Sequence, residues 1–461
     1  MKQSCKRFLC LLCALTLACS CALAQSAPPE MPDGNGTPPD MPAGDNGGTP
    51  PDMPDGNGTP PDMPAGGMPG GQPGGQASQG TSATTFAEDT NVSNSTFTSP
   101  GDNENALRAT GDIDVLVTDA VIEKSGGATS STEDSDFYGQ NAGFLATDGA
   151  NVTIKNTRVT TNAAGGNAVF SYGAGTSVTI SDSVIRTGMN NSGGIHVTGG
   201  GTLTASNLDV QTQGNSAAAI RSDRGGGTLV ADGGSYVTGG TGSPSIYCTA
   251  EITVKNATLT ANRSEAVVVE GKNSVTLENC AVSGCMEGTY GANSDENIHG
   301  VMIYQSMSGD ADVGQSRFTM AGGSLKTLAG DLFYVTNTSC VIELSEVSLA
   351  LANENLLQVV GNSGDRGWGK AGENGGKCVL TASHQTMSGN ITVDSISSLE
   401  LALTGDSSYT GAINQAGPGG AVSVTLEAGS LWTLTADSYI TSFTGDMADV
   451  DLNGYTLNVA E

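Results

Sequence analysis

Val152-Thr-Ile-Lys-Asn156 is the first of six copies of one short phrase, each spelled slightly differently. The later copies are Val178-Thr-Ile-Ser-Asp182, Leu203-Thr-Ala-Ser-Asn207, Leu229-Val-Ala-Asp-Gly233, Ile252-Thr-Val-Lys-Asn256 and Val275-Thr-Leu-Glu-Asn279. Their first residues are 26, 25, 26, 23 and 23 positions apart. Self-similarity at such a period is typical of chains that stack one structural unit on the next, so this stretch decides the architecture.

Each copy has the alternation of a β-strand. Its first and third positions are apolar, while its second and fourth are polar except for Val230. Since alternate side chains of a strand face opposite sides, one face is buried. The fifth position is Asn, Asp or Gly, which tolerate a left-handed backbone. The chain is apolar again three residues later, as at Val159, and a third apolar run precedes the next copy, as at Ala168-Val-Phe170.

We therefore predict a coil of three strands with a sharp bend at the Asn. Successive turns of one path place equivalent positions above one another roughly every 4.8 Å. The bend Asn side chains would then stack as a hydrogen-bonded ladder.

Coil length and bend Asn together resemble the right-handed parallel β-helix of the pectin-lyase-like superfamily, over roughly residues 104–461. The resemblance implies an all-β fold, a right-handed single-stranded parallel β-helix (β-solenoid) with about 12 to 13 coils. We expect this domain at 81–461, with 81–103 as the N-terminal cap that shields the first coil. The superfamily holds lyases, hydrolases, adhesins and inert surface proteins, so the fold alone does not define a function.

Charge and hydropathy exclude several partners. The net charge is −29, and the 18 Lys and Arg residues are scattered. Nucleic acid is therefore not expected as a partner, because phosphate binding needs clustered cations. No apolar run of 18 residues follows the N-terminal segment, so we expect no transmembrane segment. The protein is expected to be a monomer.

The N-terminal region reads as an export signal and a tether. Residues 1–24 combine a basic start, an apolar run and a small-residue cleavage site, which predicts a signal peptide. Residues 25–80 are Pro- and Gly-rich, which predicts a disordered linker that either holds the folded part away from an envelope or has no specific role. A secreted or cell-surface protein follows, and lipoprotein anchoring through Cys19 or Cys21 is the less favoured alternative.

The catalytic signatures that the resemblance implies are missing. The Asn-Thr-Asp, Asp-Asp, Gly-His-Gly and Arg-Ile-Lys series of pectin hydrolases is absent, as is the Arg-x-Pro-x-x-Arg pattern of pectate lyases. His299 is either a general acid or base or a locally hydrogen-bonded side chain. We predict no catalytic residue and no cofactor, although the acidic cluster Glu133, Asp134 and Asp136 could bind calcium adventitiously.

Two groups of residues are candidates for ligand binding. Arg221 and Arg224 flank Asp223, and they could grip the carboxylate of a sugar acid or simply form a surface ion pair. The segment Asp365-Arg-Gly-Trp-Gly-Lys370 holds Arg366, Trp368 and Lys370. If Trp368 is exposed, it suits stacking on a sugar ring; the alternative is that it folds back over the adjacent coils.

Three polar excursions interrupt the repeat, at 126–140, 284–300 and 361–377. In each phrase the apolar positions form the core, the Asn position forms the bend and the Thr positions lie on the surface. We therefore expect the functional residues to lie in the excursions. The favoured hypothesis is a non-catalytic exported β-helix in adhesion or carbohydrate binding, with a polysaccharide or cell-surface glycan as partner. The alternatives are a lyase or hydrolase of acidic glycans and a passive envelope spacer.

Overall fold

The computed structural model describes residues 78–288 and 297–460. The predicted signal peptide at 1–24 and nearly all of the predicted linker at 25–80 lie outside the described residues, as does part of the 284–300 excursion. Within the described ranges, no helix has the length and apolar character needed to cross a membrane.

The chain consists almost entirely of short strands. The elements that precede the repeat region are β1 (Thr81–Ser82), β2 (Thr85–Phe86), β3 (Thr90–Ser93), β4 (Thr96–Ser99), β5 (Glu104–Asn105), β6 (Leu107–Thr110), β7 (Asp114–Thr118), β8 (Val121–Lys124), α1 (Thr132–Tyr138) and β9 (Phe144–Thr147). The strands of the repeat region are β10 (Asn151–Lys155), β11 (Arg158–Thr161), β12 (Val169–Tyr172), β13 (Ser177–Ser181), β14 (Val184–Thr187), β15 (Ile195–Thr198), β16 (Gly201–Ser206), β17 (Asp209–Thr212), β18 (Ile220–Ser222), β19 (Gly227–Asp232), β20 (Ser235–Thr238), β21 (Ile246–Cys248), β22 (Glu251–Lys255), β23 (Thr258–Ala261), β24 (Val267–Glu270) and β25 (Ser274–Gly284).

The C-terminal part continues in the same way. Its elements are β26 (His299–Tyr304), β27 (Gln315–Thr327), β28 (Asp331–Thr336), β29 (Ser339–Ser345), β30 (Ser348–Ala350), β31 (Asn355–Val359), β32 (Lys377–Ser383), β33 (Thr386–Ser388), β34 (Asn390–Val393), β35 (Ser398–Thr404), β36 (Ser408–Thr410), β37 (Ala421–Leu426), β38 (Leu431–Thr433), β39 (Ser438–Ile440), β40 (Ser442–Thr444), a 3-10 helix (Met447–Asp449), β41 (Val450–Asp451) and β42 (Leu457–Val459).

These strands pair in parallel in three long stacks. The first strand stack runs β3, β7, β10, β13, β16, β19, β22, β25, β27, β29, β32, β35, β37, β40. The second runs β4, β8, β11, β14, β17, β20, β23, β25, β27, β30. The third runs β2, β6, β9, β12, β15, β18, β21, β24, β26, β28, β31, β34.

The remaining pairings, β1 with β5, β33–β36–β38–β41 and β39 with β42, are parallel as well. The predicted all-β architecture with parallel sheets is therefore confirmed, and the stacks are consistent with a β-helix. The segment 81–103, expected to be a cap, itself supplies three strands of these stacks, β2 to β4, and also β1, which pairs with β5.

The six phrases stack in register. Their first residues pair in the order Val152, Val178, Leu203, Leu229, Ile252, Val275. All six are buried in one main hydrophobic core, together with the third phrase positions. A 23-residue copy and a 26-residue copy thus keep the same register, and the extra residues lie between strands.

The bends adopt the predicted left-handed backbone. Asn207, Asn256 and Asn279 have φ between 52° and 53°. The side-chain ladder differs from the expected run of Asn on Asn, because the amide donates to an Asp of the preceding coil. Asn207 Nδ2 lies 3.2 Å from Asp182 Oδ1, and Asn256 Nδ2 lies 2.8 Å from Asp232 Oδ1.

The third strand stack differs from the first in the burial of its outward face. Strands of the first stack alternate between buried and exposed side chains, as in β13 and β16. In β15, β24, β26 and β28 of the third stack every residue is buried. Other segments of the chain must therefore cover this sheet face, since a strand in a single coil can turn only half of its side chains inward.

We predict that Asn256 stabilises its bend through both its backbone conformation and its ladder bond. Replacement by Ala should lower the free energy of unfolding by about 1–3 kcal/mol, since a left-handed Ala costs about 1–2 kcal/mol and the lost hydrogen bond about 1 kcal/mol. Asn256→Gly is the matched control: it loses only the hydrogen bond and should be clearly less destabilised in urea denaturation. Equal losses in the two variants would contradict the assignment of strain to this bend.

Candidate functional site

Two adjoining cavities of about 140 and 280 Å³ lie on the outward face of the third strand stack. They share four lining residues and so lie side by side: Ser216, Gly242, Pro244 and Tyr247. We call the pair the groove. Its aromatic half is further lined by Arg263, Glu265, Val268, Met286, Gly288, His299, Met302, Tyr304, Arg366 and Trp368. Its charged half is further lined by Asp136, Phe137, Asn191, Ala218, Arg221, Asp223 and Asp310.

The groove brings together all three excursions that interrupt the repeat. The excursion at 126–140 contains helix α1, which the sequence pattern did not predict. Lining residues come from each excursion in turn: Asp136 and Phe137, then Met286 and His299, then Arg366 and Trp368. Chain segments that are far apart in the sequence therefore meet over one sheet face.

The groove lies over a column of outward side chains in register, of which Arg221, Tyr247, Val268 and Met302 line the cavities. Successive strands pair Phe170, His196, Arg221, Tyr247, Val268, Met302 and Tyr334. Their chain neighbours, such as Ile195, Ile220 and Ile246, belong to the main core on the opposite face. The spacing of strands sets these large side chains about 4.8 Å apart along the column.

Arg221 lies at the centre of the charged half and binds two carboxylates. Its Nη2 is 2.9 Å from Asp136 Oδ2, and its Nε donates to Asp223 Oδ2 at 2.7 Å. All three side chains are buried. The expected ion pair of Arg221 is thus present. The expectation that this pair lies on the surface is wrong, because α1 carries Asp136 over Arg221 and the cluster is buried.

His196 completes this cluster without a hydrogen bond. Its Nε2 is 3.1 Å from Asp223 Oδ2 but is not aligned as a donor to it. The ring instead packs on Phe170, with centroids 4.3 Å apart. Burial lowers the pKa of His196 well below its usual value, and the charge of Arg221 lowers it further. His196 is therefore neutral at physiological pH.

Burial also governs the two carboxyl groups. It raises the pKa of Asp223 to about 6, against the opposing effect of Arg221. It raises the pKa of Asp136 as well, again partly offset by Arg221. For Arg221 itself, burial lowers the pKa but the two carboxylates raise it by more. The guanidinium is therefore permanently charged, while the carboxyl groups are the titratable part of the cluster.

Helix α1 is held in place by its own capping and by contacts with the sheet. Ser131 Oγ accepts a hydrogen bond from the Asp134 amide at 3.0 Å, and Gly139 ends the helix in a left-handed conformation. Thr198 Oγ1 donates to the Phe137 carbonyl at 2.7 Å. The Arg224 guanidinium lies 4.2 Å from the centre of the Phe137 ring.

Arg224 has an ion-pair partner of its own. Its Nη2 is 2.9 Å from Asp310 Oδ1, although the two residues are 86 positions apart in the chain. Arg224 and Arg221 are therefore both engaged by carboxylates of the protein. Their predicted role in ligand binding remains a prediction, but neither guanidinium presents an unpaired fork to a sugar acid.

Glu270 organises the boundary between the two halves. Its Oε2 accepts hydrogen bonds from the hydroxyls of Tyr247 at 2.6 Å and Tyr304 at 2.8 Å, and its Oε1 accepts one from Ser306. Burial raises the pKa of both tyrosines well above the usual value, so they stay protonated and act as donors. No sequence pattern predicts a role for these residues.

Trp368 folds back over the coils, which is the second of the two alternatives drawn from the sequence. It is only 7% exposed and packs on Tyr304, with ring centroids 4.9 Å apart. Its carbonyl accepts hydrogen bonds from the side chains of Asn362 and Asn374, each at 3.0 Å. The expectation of an exposed, freely stacking indole is wrong, because Trp368 belongs to a separate apolar cluster on the sheet face.

The two basic residues beside Trp368 have different positions. The Arg366 guanidinium stacks over the indole, 4.4 Å from its centre, and lines the aromatic half. Lys370 is highly exposed, pairs with Glu373 and is not among the lining residues. The structure thus brings Arg366 and Trp368 into the groove and leaves Lys370 outside it.

His299 and the acidic residues were the remaining candidates from the sequence. His299 is buried, and its Nδ1 lies 3.1 Å from Asn297 Oδ1, as expected for a locally bonded histidine. Across the described residues, no group of three or more His, Cys, Asp or Glu side chains is placed to hold a metal ion.

No protein-family model matches the sequence, and the comparisons with curated proteins and with solved structures give no match. The site is therefore interpreted from its own geometry.

We predict that Asp223 weakens the fold as the pH rises. Its folded pKa of about 6 exceeds the ordinary value of 3.8. Its contribution to stability is therefore full below about pH 4 and is lost as the pH rises through about 6. Asp223→Asn lacks this titration, so its stability relative to the native protein should increase by about 1–3 kcal/mol between about pH 4 and pH 7. Urea denaturation at each pH measures this difference.

The matched control for this experiment is Asp112→Asn, which removes an exposed carboxylate. Its stability relative to the native protein should stay nearly constant over the same pH range, because solvent screens exposed charges. A relative stability of Asp223→Asn that falls with rising pH would mean that Arg221 outweighs burial, and would contradict the prediction.

Proposed function

We propose that residues 81–461 form a right-handed single-stranded parallel β-helix of the pectin-lyase-like kind that binds carbohydrate in the groove. The three parallel stacks and the in-register phrases support the coil architecture. The N-terminal sequence pattern supports export, with the Pro-rich tract as a tether to the cell surface. Adhesion to a glycan is the role that joins these features.

The observation that carries the binding proposal is the groove itself. It combines a wall of aromatic rings with buried, hydrogen-bonded polar groups, which is the composition of sites that bind small ligands and sugars. Tyr247, Tyr304 and Trp368 provide rings, and Arg366 provides a cation at the rim. Two adjoining cavities along one sheet face suit a ligand with at least two consecutive units.

A catalytic alternative rests on a specific feature of the charged half. Asp136 and Asp223 flank one guanidinium, and burial raises the pKa of each. Enzymes that hydrolyse glycosides use a pair of carboxyl groups, of which one has a raised pKa and acts as the acid while the other is ionised. Release of reducing ends or unsaturated products from a polysaccharide, abolished by Asp223→Asn, would favour this alternative over pure binding.

We predict that Arg366→Ala weakens saccharide binding about tenfold, because it removes the cation over the indole and part of the groove wall. The matched control is Lys370→Ala, which removes a positive charge from the same segment outside the groove. Isothermal titration of both variants with the oligosaccharide that binds best on a glycan array provides the comparison.

Equal losses in the two variants would contradict the groove as the binding site and favour general electrostatics of the segment. If the native protein binds no glycan on the array and releases no sugar product, the proposed function is wrong and a passive spacer is the remaining hypothesis.

A further inference from the structure

The charged half of the groove has more carboxylates than cations. Asp136, Asp223 and Asp310 line it together with Arg221. Arg221 is bound by the first two carboxylates, and Asp310 is bound by Arg224 at its edge. Arg221 and Arg224 each therefore already pair with at least one carboxylate of the protein.

One carboxylate oxygen in this half has no donor. Asp136 Oδ1 is buried and accepts no hydrogen bond from any residue that the structure describes. The Asp136 side chain is about nine-tenths buried, and it still contributes to the lining of the cavity. A buried anionic acceptor without a donor is unfavourable, so a ligand that brings a donor to this oxygen gains affinity from it.

An ammonium group meets this requirement better than a hydroxyl group. It carries three donors and a positive charge, and charge-assisted hydrogen bonds are the stronger kind. The net charge of −29 acts in the same direction, because it attracts cations and repels anions at long range. A neighbouring half lined by aromatic rings suits the ring of a sugar rather than a flexible alkylamine.

We infer that the charged half of the groove selects a sugar unit that carries a free amine, that is, an amino sugar of a polycationic glycan, with Asp136 as its acceptor. The inference rests on the proposed carbohydrate-binding function and deepens it. It also reverses the expectation that Arg221 and Arg224 grip a sugar acid. The charged half of the groove binds a positively charged sugar unit rather than a negatively charged one.

The test compares three sets of oligosaccharides on the native protein by isothermal titration. They are β-1,4-linked glucosamine oligomers, the same oligomers fully N-acetylated, and galacturonate oligomers. The glucosamine oligomers should bind at least about tenfold more tightly than the N-acetylated ones, and the advantage should shrink at high salt. Galacturonate binding equal to or tighter than glucosamine binding would overturn the inference.

A substitution then locates the amine. Asp136→Asn keeps the shape and an acceptor oxygen but removes the charge, so the preference for the free amine should fall to near unity. Asp112→Asn, which removes an exposed charge elsewhere, should keep the full preference. A preference that persists in Asp136→Asn would overturn the role of this residue, and the comparison on the native protein stands even if the variant does not fold.

The outcomes separate the two proposals. Binding of glucosamine and N-acetylglucosamine oligomers with equal affinity would overturn the amine selectivity and leave carbohydrate binding intact. Binding of none of the three sets, nor of any glycan on an array, would overturn both. Oligolysine that binds more tightly than glucosamine oligomers would identify a basic peptide as the partner and overturn the assignment to a sugar.

Discussion

The in-register parallel stacking of strands is the constraint on which the rest of the structure depends. Each phrase must pair its apolar positions with those of the preceding phrase, as Val178 pairs with Val152, because a slip of one residue would turn the whole set outward. The left-handed bend at positions such as Asn207 separates the strand of the first stack from the strand of the second. Residues between these fixed points are free to vary in number, which is why copies of different length coexist.

This constraint also decides where a site can form. A strand stack turns half of its side chains inward, so its outward columns are the only surfaces on which large ordered side chains can accumulate. In the first stack that surface stays exposed, whereas in the third it is covered by the excursions. Because insertions can leave the coil only between strands, segments that lie far apart in sequence converge on the same sheet face and enclose the groove.

The sequence predicted the scaffold better than the site, for a physical reason. Burial alternation and bend residues are local properties, so the phrase at 152–282 predicted the strands and their register correctly. The environment of Arg221 depends on Asp136, which reaches it from an excursion several coils earlier, and no local pattern reports that contact. Trp368 is similar: its burial comes from Tyr304 and from two Asn side chains that bind its carbonyl. One sequence feature could have indicated the site. His196, Arg221 and Tyr247 occupy equivalent positions of successive repeats, and large polar side chains in one such column indicate a sheet face that is partly covered.

The charged cluster is difficult to explain by stability alone. Removing two carboxylates and a guanidinium from water costs several kcal/mol per ion, and well-packed apolar side chains of similar size serve a buried position at least as well. The same outward column shows this, because Phe170, Val268 and Met302 fill equivalent positions under the covering segments. A column that accepts apolar residues on both sides of Arg221 does not need charge there to fold. The packing of the sheet therefore does not require the charges at Arg221, Asp136 and Asp223, which is consistent with the proposed role of the groove in ligand binding.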